Sequence, residues 1–186
     1  MKPKPSNLAS TTRTYRKLHK WIAIPLLVFF LTIGITGLLL GWKKQTGLLP
    51  STKKGRTTTS AHWISIDSIQ TIAKQYAQSH SESSDIDRID VRPQKGVAKI
   101  VFVTHFTELQ IDRTTGKIVS ESTRTSDIIE KIHDGSMLDF WVKTDNDPIK
   151  LVYTSLLGIG LILLTISGFF LWYNPIKIRK AKSESR

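Results

Sequence analysis

Two stretches of the chain are continuously apolar, and the chain between them alternates. Residues 21–42 carry no charge over 22 positions and are bracketed by Lys20 and Lys43. Residues 151–176 carry none over 26 positions and are bracketed by Lys150 and Lys177. A helix on the surface of a soluble protein keeps a polar face, and neither run has one. At 1.5 Å per residue the first run is about 33 Å long, enough to cross a hydrocarbon core of roughly 30 Å. Both runs therefore read as membrane-spanning helices. The first exceeds the roughly 7–15 residues of a signal-peptide core, and no small-x-small cleavage site follows it. It reads as a retained anchor that ends at headgroup depth on Trp42.

Between the runs the period shortens. Ser65 or Asp67 can cap a helix whose Ile66, Ile69, Ile72, Ala73 and Tyr76 share one face. The polar stretch 79–85 ends it. Four β-like runs follow, at Ile86–Arg92, 98–104, Thr107–Asp112 and 117–121. Ile100, Phe102, Leu109 and Ile111 alternate with polar neighbours, the mark of half-buried strands. Gln94-Lys95-Gly96 and Arg113-Thr114-Thr115-Gly116 supply turns between them. A second amphipathic helix is expected over 126–137. The fold class expected is thus membrane α-helical, two transmembrane helices enclosing an α+β domain whose first helix covers one face of an antiparallel meander. The segments expected are a disordered basic tail (1–14), the first transmembrane helix (15–43), a polar linker (44–62), the α+β domain (63–124), an amphipathic connector (125–148), the second transmembrane helix (149–175) and a second basic tail (176–186).

Charge fixes the expected orientation. Of the 27 Lys and Arg, six lie in residues 1–20 with no acid, and five in residues 177–186 with one. Residues 42–149 hold 15 against 14 acids and are nearly neutral. The net +12 therefore belongs to the tails, which the positive-inside rule puts in the cytoplasm. The central domain is then periplasmic, in a multi-pass protein of a bacterial inner membrane. Because the excess charge is not a stripe on a folded domain, nucleic acid is not an expected partner; the lipid bilayer is. With no cysteine, disulfides and thiolate metal sites are excluded. No Ser-His-Asp order, His-Glu-x-x-His or phosphate loop is present. Asp85, Asp87 and Asp90 lack the glycine and distal glutamate of a calcium loop. Gly37-x-x-x-Gly41 is a close-packing pattern in a membrane helix, although glycine is common in spans.

Four segments in order resemble the family of PepSY-associated transmembrane-helix proteins. They are RKLHKWIAIPLLVFFLTIGITGLLL, with its His-x-Trp opening and Thr-Gly end, LQIDRTTGKIVS, IIEKIHDGSMLDFW, and LLTISGFFLWYNP with its Ser-Gly-x-x-x-Trp ending. The resemblance implies a PepSY-like extracytoplasmic domain. Relatives in the family include larger, typically four-helix ferric-siderophore reductases and iron-regulated membrane proteins, some holding haem b through membrane-helix histidines. With two helices this chain corresponds to one half, so the implied role calls for a homodimer or a larger complex.

His19 and His133 are the candidate ligands. From the residues alone, His19 is one more polar residue in a basic flank, and His133 is a helix-terminal residue before the Asp134-Gly135 turn. The resemblance makes both candidate axial ligands of haem b, with Trp21, Trp141 and Trp172 packing on the porphyrin edges. A membrane thickness should separate the two histidines, so one protomer does not bring both to one iron. His62, His80 and His105 read as surface residues, and Ser167-Gly168 as a packing or cofactor-lining pair. The function implied is haem-based electron transfer for reducing ferric chelates, as a reductase or its electron-transfer subunit. The alternative is a non-catalytic PepSY accessory subunit; peptidase inhibition rests on fold analogy alone.

Overall fold

The computed structural model describes residues 5–183 and resolves into two units, residues Met1–Gly37 with Ile132–Arg186 and residues Leu38–Lys131. The first unit is an antiparallel helical hairpin. Helix α1 runs Pro5–Gly41 and α5 runs Pro148–Ser183. Tyr15 stacks on Phe170 with ring centroids 4.6 Å apart, His19 meets Ser167, Leu26 packs into Gly160, and Phe29 lies edge-on to Tyr153 at 5.9 Å. Residue number rises on one helix as it falls on the other. A methyl group at Gly160 would collide with Leu26 Cδ1, so this glycine sets the close approach, while Gly41 has nothing within 4 Å of where its side chain would be. The expected Gly37-x-x-x-Gly41 stripe is thus not what joins α1 to α5.

Only 11% of the most apolar window of α1 and 17% of that of α5 is buried. The core helix of a soluble protein would be mostly covered, whereas Ile24, Leu27, Val28 and Leu31 on α1 and Leu161, Ile162 and Phe169 on α5 are exposed. Faces of this kind need lipid around them. Helix α1 begins earlier than expected, because Pro5 supplies a preset φ at a helix start and nothing in residues 6–14 breaks the helix. The expected disordered tail is therefore helical from Pro5, and α5 likewise continues through the second tail to Ser183. Residues 1–4 and 184–186 lie outside the described residues.

The second unit is the α+β domain. Ser65 caps α2 (Ile66–Ser79), its hydroxyl accepting from Ser68 N–H at 3.1 Å. Strands β1 (Ile86–Arg92), β2 (Val97–Phe102), β3 (Thr107–Asp112) and β4 (Ile118–Thr123) form an antiparallel meander in sequence order. Gly96 and Gly116, at φ 66° and 73°, take the turns assigned to them. Pairing Ala98 with Ile111 and Ile100 with Leu109 puts these residues and Phe102 on one face. That face packs against Ile69, Ala73 and Ala77 of α2.

The opposite face departs from the expected half-buried pattern: β2 and β3 are buried at every position. Lys99, Glu108, Gln110 and Asp112 lie beneath a strap formed by residues 48–58, the segment expected to be a linker. Gln110 donates from Nε2 to Ser51 O (2.9 Å) and accepts at Oε1 from Lys53 N–H (2.7 Å), so its amide pairs with the strap as a peptide group would. Asp112 accepts from Arg56 N–H at 2.6 Å, and Gly55 N–H donates to Lys95 O at 2.7 Å. The buried charges are matched. Glu108, fully buried, accepts from Lys99 Nζ (2.8 Å), Gln110 Nε2 (2.8 Å) and Arg124 (2.5 Å), and Arg124 also bonds Asp127 (2.8 Å). Ser126 N–H donates to Leu48 O at 3.0 Å where the chain leaves the sheet.

The connector is two helices, α3 (Thr125–Asp134) and α4 (Ser136–Val142). The single helix expected over 126–137 is broken at Gly135, whose φ of 81° no helix admits.

Candidate functional site

Each candidate histidine sits on a hydroxyl residue followed by glycine. His19, on α1, places Nδ1 2.9 Å from Ser167 Oγ on α5. His133, in the last turn of α3, places Nδ1 2.9 Å from Thr36 Oγ1 on α1. The rings lie over these glycines at ordinary contact distance. A methyl group at Gly168 would lie 3.7 Å from His19 Cε1, and one at Gly37 would lie 3.5 Å from His133 Cε1. Both imidazoles are half-buried.

The hydrogen-bond network assigns the ring protons. Thr36 Oγ1 lies 2.6 Å from Thr32 O, and Ser167 Oγ lies 2.7 Å from Leu163 O, the usual back-bond of a helical hydroxyl. A hydroxyl has one proton, and a carbonyl can only accept it. Toward the imidazole each hydroxyl therefore accepts, so each neutral ring carries its proton on Nδ1 and has a bare lone pair on Nε2. Among the described residues no hydrogen bond reaches either Nε2. Ser167, fully buried, and Thr36, 8% exposed, are fixed by their own helices and so fix the rings.

The His133 end has further supports. A methyl group at Gly135 would lie 2.6 Å from Tyr153 Cδ1, so both the backbone and the neighbouring ring require glycine there. Asp134 accepts from Ser136 N–H (3.0 Å) and Oγ (2.7 Å) and pairs with Lys150 Nζ at 2.6 Å. Burial raises its affinity for a proton, but these bonds outweigh burial and hold the carboxyl below its ordinary range. Asp139, 2% exposed, caps α5 from outside the helix, accepting from Ile149 N–H (3.0 Å), Lys150 N–H (2.7 Å) and Thr144 Oγ1 (2.5 Å). Beside His133 a groove of about 280 Å³ is lined by Phe30, Ile33, Tyr153, Thr154, Leu157 and Gly158. Its walls are almost wholly apolar.

The three tryptophans expected at the porphyrin edges are exposed and stand apart from the histidines. Trp21, Trp141 and Trp172 are 78%, 68% and 65% exposed, and no hydrogen bond or ring contact joins them to His19 or His133 among the described residues. Trp172 packs on Phe169 and Tyr173, one turn beyond Gly168. The aromatic contacts at the histidine ends are instead Tyr15–Phe170 and Phe29–Tyr153.

The three remaining histidines divide. His62 and His80 are exposed as expected. His105 is half-buried, tilted on Phe102 at 4.6 Å, with Nε2 3.2 Å from Ser83 O and Nδ1 3.3 Å from the Glu82 carboxylate. It is a packing residue, because its ring closes the end of the core. Asp87 and Asp90 pair with Arg88 and Arg92, and no group of three or more acidic or histidine side chains is placed to hold a metal among the described residues.

Sequence reasoning missed Asp139, Tyr153 and Gly160. The span pattern marks Gly160 only as one glycine among several. For Asp139 the signal was an aspartate in an otherwise apolar turn, and for Tyr153 a polar ring among aliphatics near the start of a span.

Comparison with curated proteins and with solved structures returned no match. A family model described as the PepSY-associated TM region matches residues 11–186, which takes in both long helices, the sheet domain and both histidines. This membrane protein belongs to the PepSY-associated TM region family.

Proposed function

We propose that the chain is a haem-binding membrane electron-transfer protein serving the reduction of ferric chelates, siderophore-type iron, outside the bacterial inner membrane. The observation that carries this reading is the common state of His19 and His133. Each commits Nδ1 to a fixed hydroxyl and keeps a lone pair on Nε2. An axial imidazole needs that state: neutral, oriented through its far nitrogen, and open at the other. Residues beside His133 also fit a flat apolar group, since the groove there has apolar walls and Gly158 adds no side chain.

Haem b, when bound, supplies one-electron redox chemistry. The chain's own residues orient the ligand nitrogens, keep water from them with apolar side chains, and space two sites across the bilayer. Thr36 follows His19 by 17 residues on one helix, about 26 Å, so the two imidazoles serve separate levels. At each level a second copy of the chain, or another subunit, would supply the second imidazole to hold the haem, which would rebuild a four-helix core. The exposed Trp21, Trp141 and Trp172 would then meet the porphyrin edges or that partner. Both tails lie in the cytoplasm and the sheet domain in the periplasm, as the charged tails favour.

The test is an absorption spectrum and haem assay of the purified full chain, with His19→Ala, His133→Ala and the double variant. A Soret band that shifts on reduction is expected, with part of the haem lost in each single variant and all of it in the double. A colourless wild type, or unchanged haem in both single variants, would overturn the reading. A colourless chain that co-purifies stoichiometrically with another membrane protein would point to the accessory-subunit role. Protease added to spheroplasts should remove the sheet domain; full protection would refute the orientation.

A further inference from the structure

The sheet domain carries a second cavity, independent of the histidines. It has a volume of about 400 Å³ and lies between the strap and the edge of the sheet. Lys44, Arg92, Lys99 and Arg124 line it, and the only acid on its lining is Asp90. Asp90 is already bonded to Arg92 at 2.9 Å. Glu108 and Asp127, which neutralise Lys99 and Arg124, are not part of the lining.

The donors outnumber their acceptors. Arg124 has five N–H groups, of which Nε serves Asp127 and an Nη1 group serves Glu108, leaving most of the fork uncommitted. The Lys99 ammonium gives one proton to Glu108 and a long contact to Pro50 O at 3.4 Å, and has a third to give. Among the described residues Arg92 bonds to Asp90 alone. Lys44 is exposed, and no hydrogen bond or ion pair joins it to another of the described residues. Lys99 and Arg124 are held rigidly, with side chains 4% and 12% exposed, so their donors are fixed before any ligand arrives. Fixed, converging cationic donors around an open cavity are what a multiply charged oxyanion requires.

Lys44 also ties the cavity to the membrane span along the chain. It follows Gly41, the end of α1, by three residues, and the exposed Trp42 lies between them. A cation so close to the end of an apolar span stands at the level of lipid phosphates.

We propose that this cavity is a binding site for a phosphate group, presented by a phospholipid headgroup or by a free phosphate. The test uses the full chain purified in a neutral detergent, with Lys44→Gln/Arg92→Gln as the probe variant. These two residues are the exposed cations of the lining, so the buried network stays intact, and an unchanged melting curve checks that. Lys74→Gln/Lys117→Gln removes the same charge from exposed positions elsewhere on the domain. Inorganic phosphate is titrated by calorimetry. Separately, the chain is reconstituted in phosphatidylcholine with or without phosphatidylglycerol, and retained lipid is read by native mass spectrometry.

Binding weakened roughly tenfold or more in the probe variant and unchanged in the control variant is expected. Retention of phosphatidylglycerol without binding of inorganic phosphate would identify the headgroup as the source; binding of inorganic phosphate alone would identify the free anion. No binding of either probe, or equal weakening in both variants, would overturn the proposal.

Discussion

Replacing Glu108 by Gln keeps the shape of the side chain and one carbonyl oxygen but removes a buried negative charge. In the wild type that carboxylate is fully buried and faces the Lys99 ammonium at 2.8 Å and the Arg124 guanidinium at 2.5 Å. Arg124 keeps Asp127, whereas Lys99 is left facing neutral acceptors alone, the Gln carbonyl and the distant Pro50 O. Removing one partner of a buried pair costs about 3–5 kcal/mol, because the other charge stays buried without compensation. With a urea slope of about 1–1.5 kcal/mol/M for so small a domain, the unfolding midpoint should fall by roughly 2–5 M. Pulse proteolysis of the detergent-solubilised chain across a urea series, following loss of the sheet domain, measures this. The double variant Glu108→Leu/Lys99→Met removes both charges of the pair and should recover a large part of the loss. A single-variant loss below about 1 kcal/mol, or a double variant no more stable than Glu108→Gln, would refute the view that Glu108 holds the sheet's strap-side face together.

Phe102, 1% exposed within the α2-facing core, should cost about 3–5 kcal/mol when replaced by Ala; a change under half a kcal/mol on the same assay would remove it from the core. Gly135→Ala puts a side chain on a left-handed backbone and against Tyr153, so the near-ultraviolet circular dichroism of Tyr153 and its neighbours should change, along with a lower melting temperature; an unaltered melt would show that the α3–α4 break tolerates a side chain. Asp112 and Asp127 are held below the ordinary aspartate range. Burial opposes this in both, but is outweighed by the N–H groups of Thr114, Arg56 and Thr115 at Asp112 and by Arg124, Arg88 and Ser126 at Asp127. A depressed carboxylate stabilises the fold above its unfolded value of about 3.9 and loses that contribution as pH falls through the lower folded value. The urea midpoint should thus hold from neutral pH to about pH 5 and drop below pH 4; an unchanged midpoint at pH 3 would contradict it.

Periodicity and turn chemistry made most of the fold legible. The Ser65 cap, the ends of β1 and β3, and the glycines at 96 and 116 are local features, and local sequence specifies them. What could not be read was the second face of the sheet. Lys99, Glu108 and Gln110 alternate with apolar residues as solvent-facing positions do, and nothing near them in sequence says that residues 48–58 will cover them. That information is carried by hydrogen bonds 49–59 residues apart, such as Gln110 with Ser51 and Lys99 with Pro50. At the histidines the motif was visible but its wiring was not. Thr36-Gly37 and Ser167-Gly168 stood out as paired small residues, and only the packing of helices shows each hydroxyl accepting an imidazole proton.

The hydrogen bond from Ser126 N–H to Leu48 O brings the point where the chain enters the sheet domain to the point where it leaves. Everything between is therefore a closed excursion whose two ends are already side by side, like a loop of thread drawn through one hole. Such a segment is an insertable cassette. A short bridge from 48 to 126 should restore the connection without the sheet, and the excised 49–125, joined end to end, should fold as a circle. In a family built on membrane helices, a domain attached through one doorway can be exchanged without redesigning the helices.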